Sequence, residues 1–244
     1  MNQQKVALIT GGSRGIGACI VKTLVADGFA VAVNYSSSAE EAEILVADIK
    51  ANGSNALAVK CNVANSVEVE NMFNTVENQL GNINVLVNNA GVMKLATLAQ
   101  SNDELFDSQI AINLKGTFNT LRLAAERVVN GGRIINLSTS VVGLKLETYG
   151  VYAATKSAVE TMSAILAKEL RGKSITVNTV APGPTATNLF LDGKPAELIE
   201  RLAKMNPMER LGTPEDIANV IAFLASANGG WVNGQVIRAN GGMI

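Results

Sequence analysis

Residues Lys5–Thr10 read KVALIT, a short apolar run rich in β-branched side chains, and it ends abruptly at GGSRGIGACIVKTLVADG. A run of this length without polar alternation is a strand covered on both faces, as in a parallel sheet. The glycines Gly11, Gly15 and Gly17 then open a segment whose apolar residues Ile16, Ile20, Leu24 and Val25 recur at helical spacing up to Gly28. Strand, glycine turn and helix in succession let backbone N–H groups and a helix N-terminus approach a pyrophosphate with no Cβ in the way. Packing alone explains glycines in a tight turn; the flanking strand and helix favour dinucleotide binding.

The same alternation runs through the 244 residues. Strands are expected at Phe29–Tyr35, Ala56–Val63, Val85–Val87, Gly132–Leu137, Ile175–Val180 and Gln235–Arg238, with helical patterns between them. The longest of these patterns covers Asp103–Val129 and carries Asn113 in its middle. The expectation is one α/β domain over residues 1–244: a doubly wound, mostly parallel sheet of seven strands with helices on both faces. Its ligand site should lie outside the carboxyl ends of the strands.

Composition narrows the chemistry. There is no histidine, which excludes Ser-His-Asp and Cys-His catalysis and the commonest zinc ligand, and no metal site is expected. Proton transfer then falls to tyrosine, lysine or a carboxylate. In GVYAATKSAVETM, Gly150–Met162, Tyr152 and Lys156 lie one helical turn apart on one face. An ammonium beside a phenol favours the phenolate, so the pair predicts a tyrosine with a pKa lowered towards the working pH. Tyr149, seven positions before Lys156, is two turns away and too far for direct contact with it.

A net charge of -1 without like-charge runs, and few aromatics, speak against nucleic acid or an anionic membrane as partner. Cys19 and Cys61 read as buried thiols without a disulfide. The start MNQQK with a five-residue apolar run fits no signal peptide, and no 18-residue apolar span follows, so a soluble, cytoplasmic protein is expected. At the end of the second strand stand Asn34, Tyr35, Ser36 and Ser37, with no carboxylate before Glu40 to bind a ribose 2'-hydroxyl. Arg14 can reach the same place, and a guanidinium with hydroxyls suits a phosphate monoester, favouring NADP(H) over NAD(H).

TGGSRGIG at Thr10–Gly17, NNAG at Asn88–Gly91, Asn113, the hydroxyls Ser138–Ser140, Tyr152 with Lys156, and APGPTAT at Ala181–Thr187 together closely resemble the short-chain dehydrogenase/reductase superfamily, in order and spacing over essentially the whole chain. The resemblance implies a single Rossmann-fold domain assembled as a homotetramer. Tyr152 would be the catalytic acid/base, Lys156 would lower its pKa and hold the nicotinamide ribose, and Asn113 would keep a proton-relay water in place. The cofactor would lie along Gly11, Ser13, Arg14, Gly15, Ile16 and Gly17, then Asn34, Tyr35 and Ser36. Further on it would meet Asn62 and Val63, then Asn89, Ala90 and Gly91, and finally Pro182, Gly183, Thr185 and Thr187. The family's catalytic serine falls by spacing on Thr139, while the wording SVVG points to Ser140; Thr139 is preferred. Asn62 replaces the family's usual adenine-reading aspartate.

Substrate class is less constrained. The closest likeness is to 3-oxoacyl-(acyl-carrier-protein) reductases and to aldehyde, ketone and polyhydroxynaphthalene reductases. Val128–Gly132 reads VVNGG, with Asn130 where an arginine would grip an acidic carrier protein, although Lys173 is available. A small ketone or aldehyde is therefore preferred to a carrier-bound substrate. A non-catalytic nucleotide sensor is the alternative of another class. Leu189–Asn206 is expected to form a substrate lid whose Leu189, Phe190, Leu191, Leu198, Ile199 and Leu202 either face substrate or pack the lid onto the body.

Overall fold

The computed structural model describes residues 4–244. Its first element, β1 (Val6–Thr10), is buried throughout and alternates between two cores: Ala7 and Ile9 face one, Val6 and Leu8 the other. Period-two alternation with hydrocarbon on both sides is what the unbroken apolar run requires. Next come α1 (Gly15–Ala26), β2 (Ala30–Tyr35), α2 (Ala39–Ala51), β3 (Ala56–Lys60), α3 (Ser66–Gln79) and β4 (Ile83–Asn88). The second half adds α4 (Asp103–Gln109), α5 (Thr117–Arg127), β5 (Arg133–Leu137), the short α6 (Val141–Leu144), α7 (Gly150–Glu169) and β6 (Thr176–Pro182). The short α8 (Asn188–Leu191), α9 (Ala196–Ala203), α10 (Pro214–Ala225) and β7 (Val236–Ala239) complete the chain.

The seven strands form one sheet in the order β3-β2-β1-β4-β5-β6-β7, and every pairing is parallel. The order reverses between β1 and β4, so the loops that leave these two strands diverge and open a crevice at their carboxyl ends. Helices α1 and α10 cover one face through Ile20, Leu24, Ile217 and Ile221; α3, α5 and α7 cover the other through Met72, Phe73, Leu121 and Leu166. Thr213 starts α10 with a capping box to Asp216, followed by Pro214 in the first turn.

Two elements differ from the sequence-based expectation. The third strand stops at Lys60 rather than Val63, because β2 ends at Tyr35, whose carbonyl takes the Cys61 N–H at 2.8 Å and leaves no edge for further pairing. The helix expected over Asp103–Val129 is three pieces. Between α4 and α5, Ile110–Gly116 is a π-helical segment, and Val128 is already extended. Segments of this kind close each backbone hydrogen bond over one more residue than an α-helix and concentrate at functional sites; Asn113 lies in its middle.

Beneath the crevice a polar ladder crosses the sheet. Thr120 on α5 donates to Asn88 on β4 at 2.7 Å, Asn88 donates to Asn136 on β5 at 2.8 Å, and Asn136 donates to Ser163 on α7 at 2.7 Å. All four side chains are buried. Thr120 follows Asn113 by seven residues and Ser163 follows Lys156 by seven, so the ladder sets the separation of the two helices that carry these groups. Asn136→Ala leaves the Asn88 amide without its acceptor and is expected to cost about 1–3 kcal/mol. Urea unfolding of the purified variant measures this, and an unchanged midpoint would show that the ladder contributes nothing.

Candidate active site

The glycine turn is shaped by contact. A Cβ on Gly17 would collide with the Gly11 carbonyl oxygen and stand 2.6 Å from Asn89 Nδ2, so the first turn of α1 can lie against the end of β1 only with glycine there. Asn89 locks the same junction, donating to the carbonyls of Thr10 at 3.0 Å and Gly11 at 2.8 Å. Arg14 precedes α1 with extended backbone and no side-chain cap, and the first turn holds no acidic residue. The N–H groups of that turn are thus uncapped donors at the positive end of a twelve-residue helix.

Two residues expected to read the cofactor have other work. Asn34 is buried: its Oδ1 accepts the Gly11 N–H at 3.1 Å, and its Nδ2 faces the carbonyls of Tyr35, Val59 and Cys61 at 3.0–3.3 Å. It ties β2, β3 and the glycine turn together, and its side chain is not free to touch a ribose; Tyr35 and the exposed Ser36 and Arg14 remain at the rim. Asn62 is exposed, but its Oδ1 already accepts the Ala64 N–H at 3.1 Å, while the Val63 carbonyl accepts from Asn119 at 2.9 Å.

Three segments meet at Gly91. A Cβ there would lie 3.3 Å from Asn113 Oδ1 and 3.4 Å from Lys156 Nζ, so glycine permits the close approach. Asn113 grips the Val92 backbone at two points, accepting its N–H at 2.8 Å and donating to its carbonyl at 2.9 Å. Lys156 is buried, its ammonium donates to the Leu137 carbonyl at 2.8 Å, and it lies 6.0 Å from the Tyr152 ring centroid. Of the three hydroxyls after β5, Thr139 faces the Tyr152 phenol and favours its ionised form. Ser138 donates to Glu160 at 2.6 Å. Ser140 is turned to the Ala181 carbonyl at 3.1 Å and accepts from Asn240 at 3.0 Å, so its hydroxyl is not available beside the phenol.

The expected lowering of the tyrosine pKa is reversed. Burial, reinforced by Tyr149, pushes the Tyr152 phenol up to about 12, with Thr139 pulling the other way. Burial also lowers Lys156 to about 8, since a desolvated ammonium is itself costly. The phenol is therefore protonated at neutral pH.

Gly91, Thr139, Tyr152 and Lys156 share one cavity of about 150 Å³; Asn113 stands against Gly91 and does not line it. Ile16, Asn89 and Gly91 line it, as do Pro182, Gly183, Thr185 and Thr187 from the β6–α8 segment. From the expected lid, Leu189, Phe190 and Leu202 reach the cavity, whereas Leu191, Leu198 and Ile199 do not line it. Met205, also within the expected lid, lines it too, and Met93, Leu144, Leu146, Tyr149 and Met243 add wall that was not anticipated. Only Tyr149 gave a signal: it lies three residues before Tyr152, although too far from Lys156.

The family described as enoyl-(acyl carrier protein) reductase matches residues 11–244. A short-chain type dehydrogenase/reductase of Picea abies is 46% identical, covering 98% of this chain and 92% of the relative. This chain is a short-chain dehydrogenase/reductase. Other relatives of the short-chain dehydrogenase/reductase are an NADPH-dependent aldehyde reductase-like protein of Arabidopsis thaliana (41% identical, 98% and 94% covered) and a 3-oxoacyl-(acyl-carrier-protein) reductase of Staphylococcus aureus (41%, 100% and 99%). A short-chain dehydrogenase of Burkholderia cenocepacia, solved with NADP, superposes with a TM-score of 0.93 at 34% identity, covering 100% of this chain and 99% of its own. The uncapped α1 N-terminus, the Cβ-free approaches at Gly17 and Gly91, and the unused donors of Lys156 fit a dinucleotide.

The Lys156 shift has a thermodynamic consequence. Between pH 8 and 10.5 the unfolded chain keeps a proton that the folded chain has released, so the penalty for burying this group shrinks as pH rises. Without added nucleotide, wild type is expected to gain stability relative to Lys156→Met across that window, read as urea midpoints. A constant gap would mean that the ammonium is not desolvated.

Proposed function

We propose that this short-chain dehydrogenase/reductase is an NADP(H)-dependent reductase of small ketones or aldehydes. The observation that carries the reading is the convergence of Tyr152, Thr139 and Lys156 on one cavity wall, with Asn113 packed beside Gly91 of that wall. The glycine turn and the β6–α8 segment would hold the dinucleotide, which would supply the hydride for the carbonyl carbon. Thr139 and Tyr152 hold the carbonyl oxygen, and Tyr152, protonated before reaction, gives that oxygen its proton as the alcohol forms. Lys156 uses one donor on Leu137 and has others for the ribose hydroxyls. Asn113 fixes the Val92 backbone and with it the loop that borders the cavity.

Tyr152→Phe is expected to abolish NADPH oxidation with small carbonyl substrates. A wild type no faster than this variant on every substrate would favour the nucleotide sensor instead. Thr139→Val should lower kcat on the order of 100-fold, as loss of an oxyanion donor does, and should exceed the effect of Ser140→Ala. The reverse order would move the role to Ser140.

NADP(H) is supported by Arg14 and Ser36 at the open rim and by the absence of a carboxylate at the end of β2. Arg14→Ala should reduce the ratio of kcat/KM for NADPH over NADH by about 10–100-fold, the range for a charge-assisted hydrogen bond. An unchanged ratio would remove Arg14 from cofactor choice.

A second reading, reduction of 3-oxoacyl groups on a carrier protein, draws on the Staphylococcus aureus relative. Against it, Lys173 is turned onto the Ala125 carbonyl at 2.8 Å, and Arg133 folds onto the Gly131 and Gly132 carbonyls, so neither cation is presented to an acidic partner. The homotetramer is supported by apolar side chains left exposed, among them Phe118, Ile165 and Trp231.

A further inference from the structure

The helix that carries the phenol begins with a second tyrosine. Tyr149 is the N-terminal flanking residue of α7, and its ring meets that of Tyr152 edge to face, with centroids 6.4 Å apart and planes at 61°. It is half-buried and forms part of the cavity wall. The loop that delivers it is held in an unusual backbone. Lys145 and Thr148 have φ of 54° and 69°, left-handed values that a β-branched threonine adopts only under constraint. The constraint includes the Ala96 N–H, which donates to the Thr148 carbonyl at 3.1 Å. Both residues border the pair that the loop presents to the cavity, Leu146 and Tyr149.

The cavity that this ring lines has a largely apolar wall besides the polar groups already described. Met93, Met205 and Met243 supply three thioethers, and Leu144, Leu146 and Phe190 supply hydrocarbon. Among the described residues, no Asp, Glu or Arg lines the cavity, and its single cation, Lys156, already donates to Leu137. A carboxylate or phosphate on the substrate would find no further counter-charge and would lose its hydration on entry. An aromatic ring gains more here than an alkyl chain of equal size, because ring edges and faces pair directionally and thioether sulfur packs favourably against ring edges.

We propose that Tyr149 is a specificity-determining residue and that the substrates are uncharged carbonyl compounds bearing an aromatic ring, which packs against Tyr149 while the carbonyl reaches Thr139 and Tyr152. This rests on the reductase reading, and it adds the group that the substrate carries beyond its reacting carbon. The wall selects by packing, so its effect belongs mainly in KM.

The test compares 3-phenylpropanal with nonanal, which share carbon count and an unconjugated aldehyde and differ in the ring. With NADPH, wild type should favour the phenyl compound in kcat/KM by about tenfold, the upper range for an aromatic pair. Tyr149→Phe should keep the preference, and Tyr149→Leu should bring it near unity through KM. Calorimetric binding of the two corresponding alcohols to the NADPH-bound enzyme, which holds no hydride acceptor for them, reads the wall without turnover. Preferential binding of the phenyl alcohol without any hydride transfer to either aldehyde would keep the wall and sink the reductase reading. Turnover of both aldehydes at equal efficiency, or a preference that survives in Tyr149→Leu, would overturn the role of Tyr149.

Discussion

The site depends on a hydrogen-bonded ladder of uncharged side chains, Thr120–Asn88–Asn136–Ser163, that passes through the sheet below the crevice. Asparagine in the middle of a buried parallel strand is costly unless each amide finds partners, and here the two amides satisfy each other and then reach one helix on either side. Hydrophobic packing alone would allow α5 and α7 to slide over the sheet with little penalty. Directional bonds at 2.7–2.8 Å hold both to fixed rungs. The two-point grip of Asn113 on Val92 and the bond from Lys156 to Leu137 extend the same logic upward, fixing loops to helices where the reacting groups stand.

Burial governs the electrostatics as well. Enclosing Tyr152 and Lys156 raises one pKa and lowers the other, so both groups tend towards neutrality rather than an ion pair. Spacing on a helix shows which groups are neighbours. It does not show how much water surrounds them, and desolvation is the larger effect here.

That limit recurs wherever the sequence-based reading and the structure diverge. Gly17 and the β1 run were legible because steric exclusion and continuous apolarity leave few alternatives. Tyr152, Lys156 and Asn113 were found by pattern, and the meeting of Lys156 and Asn113 at Gly91 needed the fold. Asn34 shows another side of it: a polar residue at a strand end looks like a ligand contact, yet its side chain bonds backbone groups of other segments, invisible in one dimension. Spacing pointed to Thr139 and wording to Ser140, and the turn after β5 decides which hydroxyl faces the phenol and which faces Ala181. Tyr149 was measured against the lysine when its partner was the other phenol.

The π-helical segment at Ile110–Gly116 carries a consequence for how this scaffold tolerates change. An additional residue within a turn advances everything after it by about 100° around the axis. Asn113 and Thr120 answer to different neighbours, one above the sheet and one within it, and the widened turn brings both into phase. Shortening that stretch by a single residue to regularise the helix would leave the sequence of either flank intact yet aim one of the two side chains away from its partner. The irregularity is thus a phase adjuster, and lineages or designs that trim it must rebuild one end of the helix to match.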